Sequence, residues 1–312
     1  MGLLIDVVLP VFLIIGFGYV AARAKWVSDQ SIDGLMQFSQ NLAIPILLFR
    51  SIATLDLATS FNPGLLLSFY IGAFAGFAAG FFGAYKLFGR PLDESVAVGF
   101  AAMFSNTLLL GLPITERAYG SEALAGNYAI IAMHSPLFYG FGIALMEWVR
   151  SRGRGLSGTA LGVQVTRAIL SQPLVLAIVF GVTVNLTGLP VPLTVGAALD
   201  MIARAGLPTA LFGLGGVLLR YRPEGDKALI ALVVFIALIV HPVVTYGLAR
   251  FVFDIDVASM RSAVVTAAMP PGVNAYMFAH LYSTGRRVAA SSVLIATALS
   301  VLTAWFWLQL LP

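Results

Sequence analysis

The stretch AVVTAAMPPGVNAYMFAHLY, residues 263–282, holds two adjacent prolines and a glycine in the middle of an apolar run. Pro271 has no amide hydrogen to give to a helix, and its ring crowds the carbonyl group four residues earlier. Backbone that leaves the helix at membrane depth persists only where protein or a water-filled cavity satisfies its polar groups. Pro270, Pro271 and Gly272 therefore predict a broken helix beside a site inside a membrane.

The composition of the whole chain fits that setting. Of 312 residues, 59% are hydrophobic and only 10% are charged, whereas about 25% charged residues is usual in a soluble domain. This balance indicates a polytopic membrane protein in a lipid bilayer. It argues against nucleic acid as a partner, because a protein that binds nucleic acid needs a basic stripe. The chain has no cysteine, which excludes a disulfide framework and a cysteine metal site.

Ten apolar segments are long enough to cross a bilayer, which takes about 20 residues each. They lie at 3–22, 32–55, 63–87, 94–118, 125–149, 168–188, 191–219, 228–250, 258–283 and 287–311. No basic residue precedes the first apolar run, so we expect a retained helix there and not a cleaved signal. Most Lys and Arg residues fall in the loops after odd-numbered segments, and cytoplasmic loops collect these residues. We therefore expect a multi-pass protein of the inner cell membrane with both termini outside, in the periplasm.

The two halves of the chain share weak sequence similarity. AVGFAAM at 97–103 matches AVVTAAM at 263–269 in five of seven places. AIPILLF at 43–49 shares a proline, a leucine and a phenylalanine with GLPTALF at 206–212. The two matches occur in the same order with similar offsets, 166 and 163 residues. This similarity indicates an internal repeat.

Helix breaks in corresponding positions of two inverted halves are typical of secondary transporters. The corresponding breaks are SNTLLLGLP at 105–113 and MPPG at 269–272. Each second half-helix would begin near the middle of the bilayer, and a helix N-terminus favours an anion. The predicted fold is an all-α polytopic membrane protein of two inverted five-helix repeats, at 1–149 and 163–312, joined by a cytoplasmic linker at 150–162.

The motifs at these positions resemble those of the auxin efflux carrier family, which includes plant auxin exporters and bacterial malate and malonate permeases. They are NTLLLGLPITERAYG at 106–120, MPPGVNAYMFAHLY at 269–282, AGLPTALFGLG at 205–215 and LAIPILLF at 42–49. The resemblance implies ten transmembrane helices in a fold like that of bile-acid transporters and sodium–proton antiporters, with helices 4 and 9 broken and crossing. It also implies a scaffold domain of helices 1, 2, 6 and 7, a transport domain of helices 3–5 and 8–10, elevator-type alternating access and a homodimer formed through the scaffold.

Substrate-binding candidates gather at the two breaks and in the seventh segment. By position in the motifs, Asn106 matches the binding asparagine of the family, and Pro270 and Gly272 match its ninth-segment break. The remaining candidates are Ser105, Thr107, Pro271, Asn274, Arg204, Asp200 and Asn41. Plant members carry proline where this chain has Ser105 and tend to carry an acidic residue where it has Arg204, which argues against auxin itself.

The sequence leaves two interpretations open for a pair of charged residues in the seventh segment, and it offers three prolines as possible hinges. Asp200 and Arg204 lie four residues apart on one helical face; they form an ion pair that holds the scaffold, or Arg204 attracts a substrate carboxylate. Pro45, Pro113 and Pro208 are candidate helix breaks or hinges.

The three histidines have no spacing typical of a metal site. His134, His241 and His280 are candidates for proton coupling because histidine titrates near neutral pH. No cofactor is expected.

The leading hypothesis is a secondary transporter, an efflux carrier or permease and not an enzyme, for small organic anions such as malate, malonate or auxin-like carboxylic acids. A sodium-coupled organic anion symporter of the bile-acid type is the alternative, although few carboxylates lie near the predicted crossing to bind the cation. A membrane-embedded sensor or enzyme is the alternative of another class, and substrate counterflow without chemical change would exclude the enzyme.

Overall fold

A computed structural model of the chain describes residues 2–57, 61–151, 162–163, 166–167, 170 and 172–312. The regular elements in these ranges are helices. We number them α1 (Leu3–Arg23), α2 (29–53), α3 (Pro63–Leu87), α4 (Leu92–Met103), α5 (107–119), α6 (Ser121–Arg150), α7 (Pro173–Thr187), α8 (Leu193–Arg220), α9 (Lys227–Val252), α10 (Val257–Ala267), α11 (Val273–Leu281) and α12 (Arg286–Leu310).

Six of these helices are long and apolar enough to cross a membrane, within the part of the chain that the structure describes: α1, α3, α6, α8, α9 and α12. The predicted second segment is helical over 29–53. The predicted fourth and ninth segments are each divided in two, as α4 with α5 and α10 with α11, and the sixth is represented by the shorter α7. The structure is therefore that of a polytopic all-α membrane protein, and the count of ten spans stays a prediction.

The chain forms two compact units. Unit 1 comprises Met1–Leu9, Phe61–Val165 and Tyr221–Pro312, and unit 2 comprises Pro10–Ser60 and Thr166–Arg220. Unit 1 thus holds α3 to α6 and α9 to α12, whereas unit 2 holds α2, α7, α8 and most of α1. The predicted linker at 150–162 falls largely on 152–161, which lies outside the described residues.

Glycines allow the helices of unit 2 to pack backbone against backbone. A Cβ atom added to Gly18 of α1 would lie 1.9 Å from the Phe212 carbonyl oxygen of α8, and one added to Gly215 would lie 1.9 Å from the Ile15 carbonyl oxygen. Such contacts are possible only without a side chain, and small residues commonly mediate helix packing in membranes. The run GLGG at 213–216 therefore serves helix packing.

Wide helical turns precede four of the prolines. Segments with hydrogen bonds to the fifth residue along the chain run over Leu3–Val8, Ser39–Ala43, Thr107–Gly111 and Ile236–Val240. Each ends two residues before Pro10, Pro45, Pro113 or Pro242. Proline cannot donate its amide and clashes with the carbonyl four residues back, which a wider turn relieves. Pro208, in contrast, lies inside α8 without interrupting it.

Candidate functional site

The two interrupted helix pairs of unit 1 meet through their backbones. α4 ends at Met103 and α10 ends at Ala267. The Asn106 amide donates to the Pro270 carbonyl oxygen at 2.8 Å, and the Gly272 amide donates to the Phe104 carbonyl oxygen at 2.9 Å. These two bonds form an isolated antiparallel bridge between Ser105 and Pro271. Each break therefore satisfies backbone groups that the other leaves without a helical partner.

The bridge pairs two residues at the same offset that relates the similar stretches of the two halves of the sequence. Ser105 and Pro271 are 166 residues apart, the same offset that relates AVGFAAM at 97–103 to AVVTAAM at 263–269. In each of the two hydrogen bonds, the residue after one bridge partner donates its amide to the residue before the other partner. The contact is therefore symmetric about the bridge. Sequence similarity alone could not have predicted this pairing.

Polar side chains line the bridge and are nearly enclosed. Ser105, Asn106 and Thr107 are 4%, 7% and 4% exposed. The Asn106 Oδ1 atom accepts from the Leu109 amide at 3.2 Å and so caps α5, while its side-chain NH2 group has no bond to the described residues. The Ser105 hydroxyl is buried and also lacks a hydrogen-bond partner among them.

The second half-helix, α11, begins without a side-chain cap. Its N-cap residue is Gly272, which offers no side-chain acceptor to the first amides. Pro270, Pro271 and Gly272 are buried, and Asn274 in the first turn is half-buried. The first turn of a helix carries unpaired amides and a partial positive charge. The site therefore combines side-chain donors at and just before the start of α5 with backbone donors from α11.

A buried asparagine that the sequence analysis missed ties the two broken pairs together. Asn127 of α6 donates from Nδ2 to the Thr115 hydroxyl at 3.1 Å and to the Thr266 hydroxyl at 2.9 Å. Thr115 lies in α5, after the first break, and Thr266 lies in α10, before the second. All three residues are fully buried. The similarity between repeats does not reveal Asn127, because α6 contains no break.

Two of the three histidines share one aromatic cluster beside the bridge. The rings of His134 and His241 lie 5.7 and 5.2 Å from the ring of Phe69, and both histidines are buried. By strict hydrogen-bond geometry their ring nitrogens have no partner among the described residues, but the His134 ring interacts with the backbone of Ser105 and the His241 ring with that of Phe69. His134 also packs edge-on against Phe104 at 4.6 Å, directly before Ser105. His280 is exposed on α11, with its ring 5.8 Å from Tyr276.

Five candidates lie elsewhere in the chain. They belong to unit 2, whereas the bridge lies in unit 1: Asp200, Arg204, Asn41, Pro45 and Pro208. Asn41, Arg204 and Pro208 are exposed. Pro45 and Pro113 are buried at the start of straight helical segments after the wide turns described above.

Of the two alternatives for Asp200 and Arg204, the ion pair between them does not form, because Asp200 pairs with a different arginine. Asp200 binds Arg50 of α2, with the Arg50 Nε atom 2.7 Å from Oδ1 and the Arg50 Nη2 atom 3.0 Å from Oδ2. The guanidinium fork matches both carboxylate oxygens at once, a geometry that Arg204 does not adopt here. Helical spacing could bring Arg204 to the same face, but only the packing of α2 against α8 could present Arg50.

Helices of this length and composition indicate a membrane-embedded protein, and two breaks that meet in this way are typical of transport proteins. The family model described as "Membrane transport protein" matches residues 3–154 and 157–308. The chain therefore belongs to this family, that of the auxin efflux carriers, as its motifs predicted. Membership also confirms that the protein is a membrane transporter and not an enzyme.

Three relatives illustrate the breadth of the family. A candidate malonate transporter of Rhizobium meliloti (strain 1021) is 27% identical over 297 residues, 95% of this chain and 92% of the relative. The uncharacterized transporter YfdV of Escherichia coli (strain K12) is 24% identical over 304 residues, 96% of this chain and 95% of the relative. Auxin efflux carrier component 8 of Arabidopsis thaliana is 25% identical over 163 residues, 50% of this chain and 44% of the relative.

Proposed function

We propose that the protein is a secondary transporter of small carboxylates, and that the substrate binds at the bridge between Ser105 and Pro271. The observation that carries this proposal is the mutual bridge of the two breaks, which puts an uncapped helix N-terminus beside an asparagine with an unused donor. A relative that covers nearly the whole chain is named for malonate. A dicarboxylate of that size is therefore the first substrate to test.

Each polar group at the bridge has a role in this proposal. One carboxylate accepts from the Asn106 side-chain NH2 group and from the first amides of α11, near Asn274. The hydroxyls of Ser105 and Thr107 supply further donors. Pro270, Pro271 and Gly272 keep those amides out of the preceding helix, because two prolines in a row cannot complete its hydrogen-bond ladder.

The test is uptake of radiolabelled malonate by proteoliposomes. Loss of a hydrogen bond to a charged group costs about 1.5–3 kcal/mol, so Asn106→Ala should weaken apparent affinity about tenfold or more. Asn106→Asp keeps the shape but repels the anion and should transport less than Asn106→Ala. Gln309→Ala, which removes an exposed amide at the end of α12, is the matched control. Uptake by Asn106→Ala equal to that of the control would refute the proposed site.

The same uptake experiment tests whether the candidate binding residues of unit 2 contribute to substrate affinity. Asn41→Ala and Arg204→Ala remove exposed polar groups of unit 2, and Asp200→Asn alters the pair with Arg50. If substrate binds at the bridge alone, the apparent affinity of Asn41→Ala and Arg204→Ala stays at the wild-type value. A loss of affinity in Arg204→Ala would contradict the proposal that the bridge alone binds the substrate.

His134 and His241 are the proposed carriers of a coupled proton. Both are buried around Phe69, and His134 packs against Phe104 and interacts with the backbone of Ser105 at the bridge. Tyr70 and Tyr139 are the titratable neighbours in this cluster: the Tyr70 hydroxyl donates to the Ile130 carbonyl oxygen, and the Tyr139 ring packs on Phe104. A proton bound at His134 would offset the negative charge of the substrate nearby.

Proton coupling is tested with an imposed pH gradient across the same liposomes. His134→Gln and His241→Gln should abolish the stimulation by the gradient while counterflow of substrate persists. His280→Gln, on the exposed histidine, is the control and should respond as the wild type does. Equal stimulation in all three variants, or stimulation by sodium instead, would exclude these histidines as the coupling groups.

Unit 2 is the proposed scaffold and unit 1 the proposed transport domain of an elevator with ten helices in two inverted repeats. The equivalence of Ser105 and Pro271 under the repeat offset supports the inverted repeat, and the division of helices between the units supports the two domains. A homodimer through the scaffold and both termini outside complete the proposal. The natural absence of cysteine makes single-cysteine labelling from each side of the membrane a clean test of orientation and of alternating access at Asn274.

A further inference from the structure

A groove with a volume of about 610 Å³ runs between α9 and α12 in unit 1. Ile230, Val234 and Leu238 lie along one side at helical spacing, and Leu299 and Leu302 of α12 face them. Leu302 is 58% exposed, so the groove is open to its surroundings. A deep apolar groove on the outside of a membrane protein faces hydrocarbon rather than water.

Positive charge gathers at one end of this groove. Lys227 lines that end and is the one charged residue among the groove's described lining. The loop before it is held on α12, because the Ser291 hydroxyl accepts from the Glu224 amide at 3.0 Å and donates to the Glu224 carbonyl oxygen at 2.7 Å. A Cβ added to Gly225 would lie 3.5 Å from the Cβ atom of Arg287. The start of α12 therefore lies beside the start of α9.

The charges at this end do not cancel. Asp226 is paired with Arg90 at 2.7 Å, so neither contributes a net charge. Arg222, Lys227, Arg286 and Arg287 remain, against the carboxylates of Glu224 and of Glu94, whose side chain lies beside Gly285. Clusters of basic residues at the membrane surface attract anionic lipid headgroups, each residue contributing about 1 kcal/mol. The end of the groove is therefore complementary to a phosphate.

The length of the groove matches one leaflet of a bilayer. Its α9 wall runs from Lys227 to Ile239, which is about 18 Å at 1.5 Å per residue. Half of the hydrocarbon core measures about 15 Å. We propose that the groove binds one acyl chain of an anionic phospholipid, whose phosphate lies on Lys227 and the neighbouring arginines. This site is independent of the proposed transport function.

Native mass spectrometry of the purified full-length protein tests the proposal with phosphatidylglycerol and phosphatidylcholine of identical acyl chains. We expect phosphatidylglycerol to bind at least about five-fold more tightly, the factor that corresponds to about 1 kcal/mol for a single basic group. Lys227→Ala should lose about that factor for phosphatidylglycerol and leave phosphatidylcholine binding unchanged. Lys86→Ala, which removes another exposed lysine of unit 1, is the matched control and should bind both lipids as the wild type does.

A second measurement locates the acyl chain. Ala231 lines the groove and is exposed, so Ala231→Trp should fill the groove and displace bound lipid. Phosphatidylglycerol that carries a photoreactive group in mid-chain should label α9 and α12 of the wild-type protein, which decides the matter even if Ala231→Trp fails to fold. Equal affinity for the two lipids, equal behaviour of Lys227→Ala and Lys86→Ala, or labelling confined to other helices would overturn the proposal.

Discussion

Gly18→Ala is predicted to destabilise unit 2 because a methyl group at this position meets backbone of α8. The added Cβ would lie 1.9 Å from the Phe212 carbonyl oxygen, whereas ordinary contacts begin at 3.4 Å. The two helices must therefore separate by about 1.5 Å, since neither backbone can rotate away. Overpacking of this kind costs about 1–3 kcal/mol and occasionally more. Gly16 offers a control in the same helix, since a Cβ there meets nothing within 4 Å.

The assay is thermal unfolding in detergent at a fixed heating rate, followed by size-exclusion chromatography of the heated samples. At about 2–4 °C per kcal/mol, Gly18→Ala should lower the apparent Tm by roughly 5 °C, whereas Gly16→Ala should leave it unchanged or raise it slightly because alanine favours helix. Gly215→Ala, whose Cβ would lie 1.9 Å from the Ile15 carbonyl oxygen, should behave like Gly18→Ala. The double variant should lose less than the sum, since one separation relieves both contacts. A Gly18→Ala protein as stable as Gly16→Ala would refute this description of the helix contact.

Three further predictions concern polar contacts. Thr266→Val keeps the side-chain shape but removes one hydrogen bond from Asn127. It should lower the apparent Tm modestly, since such bonds contribute about 0.6 kcal/mol on average in membranes. If the proposed site is correct, it should also slow malonate uptake by loosening the bridge. Asp200→Arg combined with Arg50→Asp should recover part of the stability that either change alone removes, as measured by a double-mutant cycle of apparent Tm; the recovery should be small because the two side chains are 24% and 42% exposed. Hydrogen bonds from the Leu229 amide and, second, from the Arg90 guanidinium lower the pKa of Asp226. The ionised Asp226 carboxylate therefore stabilises the folded protein above the usual Asp pKa of about 3.9, and this contribution is lost as pH falls. Asp226→Asn should therefore weaken the acid dependence of the apparent Tm.

Each of these has an outcome that contradicts it. Uptake and stability of Thr266→Val equal to wild type would show that Asn127 does not hold the bridge. A charge-swapped protein no more stable than the worse single variant would remove the pair with Arg50 as a stabilising contact. An unchanged acid dependence in Asp226→Asn would assign the acid sensitivity to other carboxylates.

The sequence by itself predicted the class of protein and the positions of the two breaks. Low charge and long apolar runs determine a polytopic membrane protein, because only buried or lipid-facing helices tolerate that composition. The adjacent Pro270 and Pro271 determine the second break, because backbone chemistry forbids a continuous helix there. The family could be recognised from the motif around Asn106, because such a motif is a continuous run of sequence. These features depend on neighbouring residues in the chain.

Only the tertiary structure decided which polar groups meet. Asp200 has Arg204 one turn away in sequence but binds Arg50, 150 residues distant. Asn127 joins Thr115 to Thr266, and His134 shares Phe69 with His241 while His280 does not. Helical spacing states which residues share a face, but the partner on the facing helix depends on how the helices pack. That packing is set by contacts such as Gly18 on Phe212, which no local pattern reports.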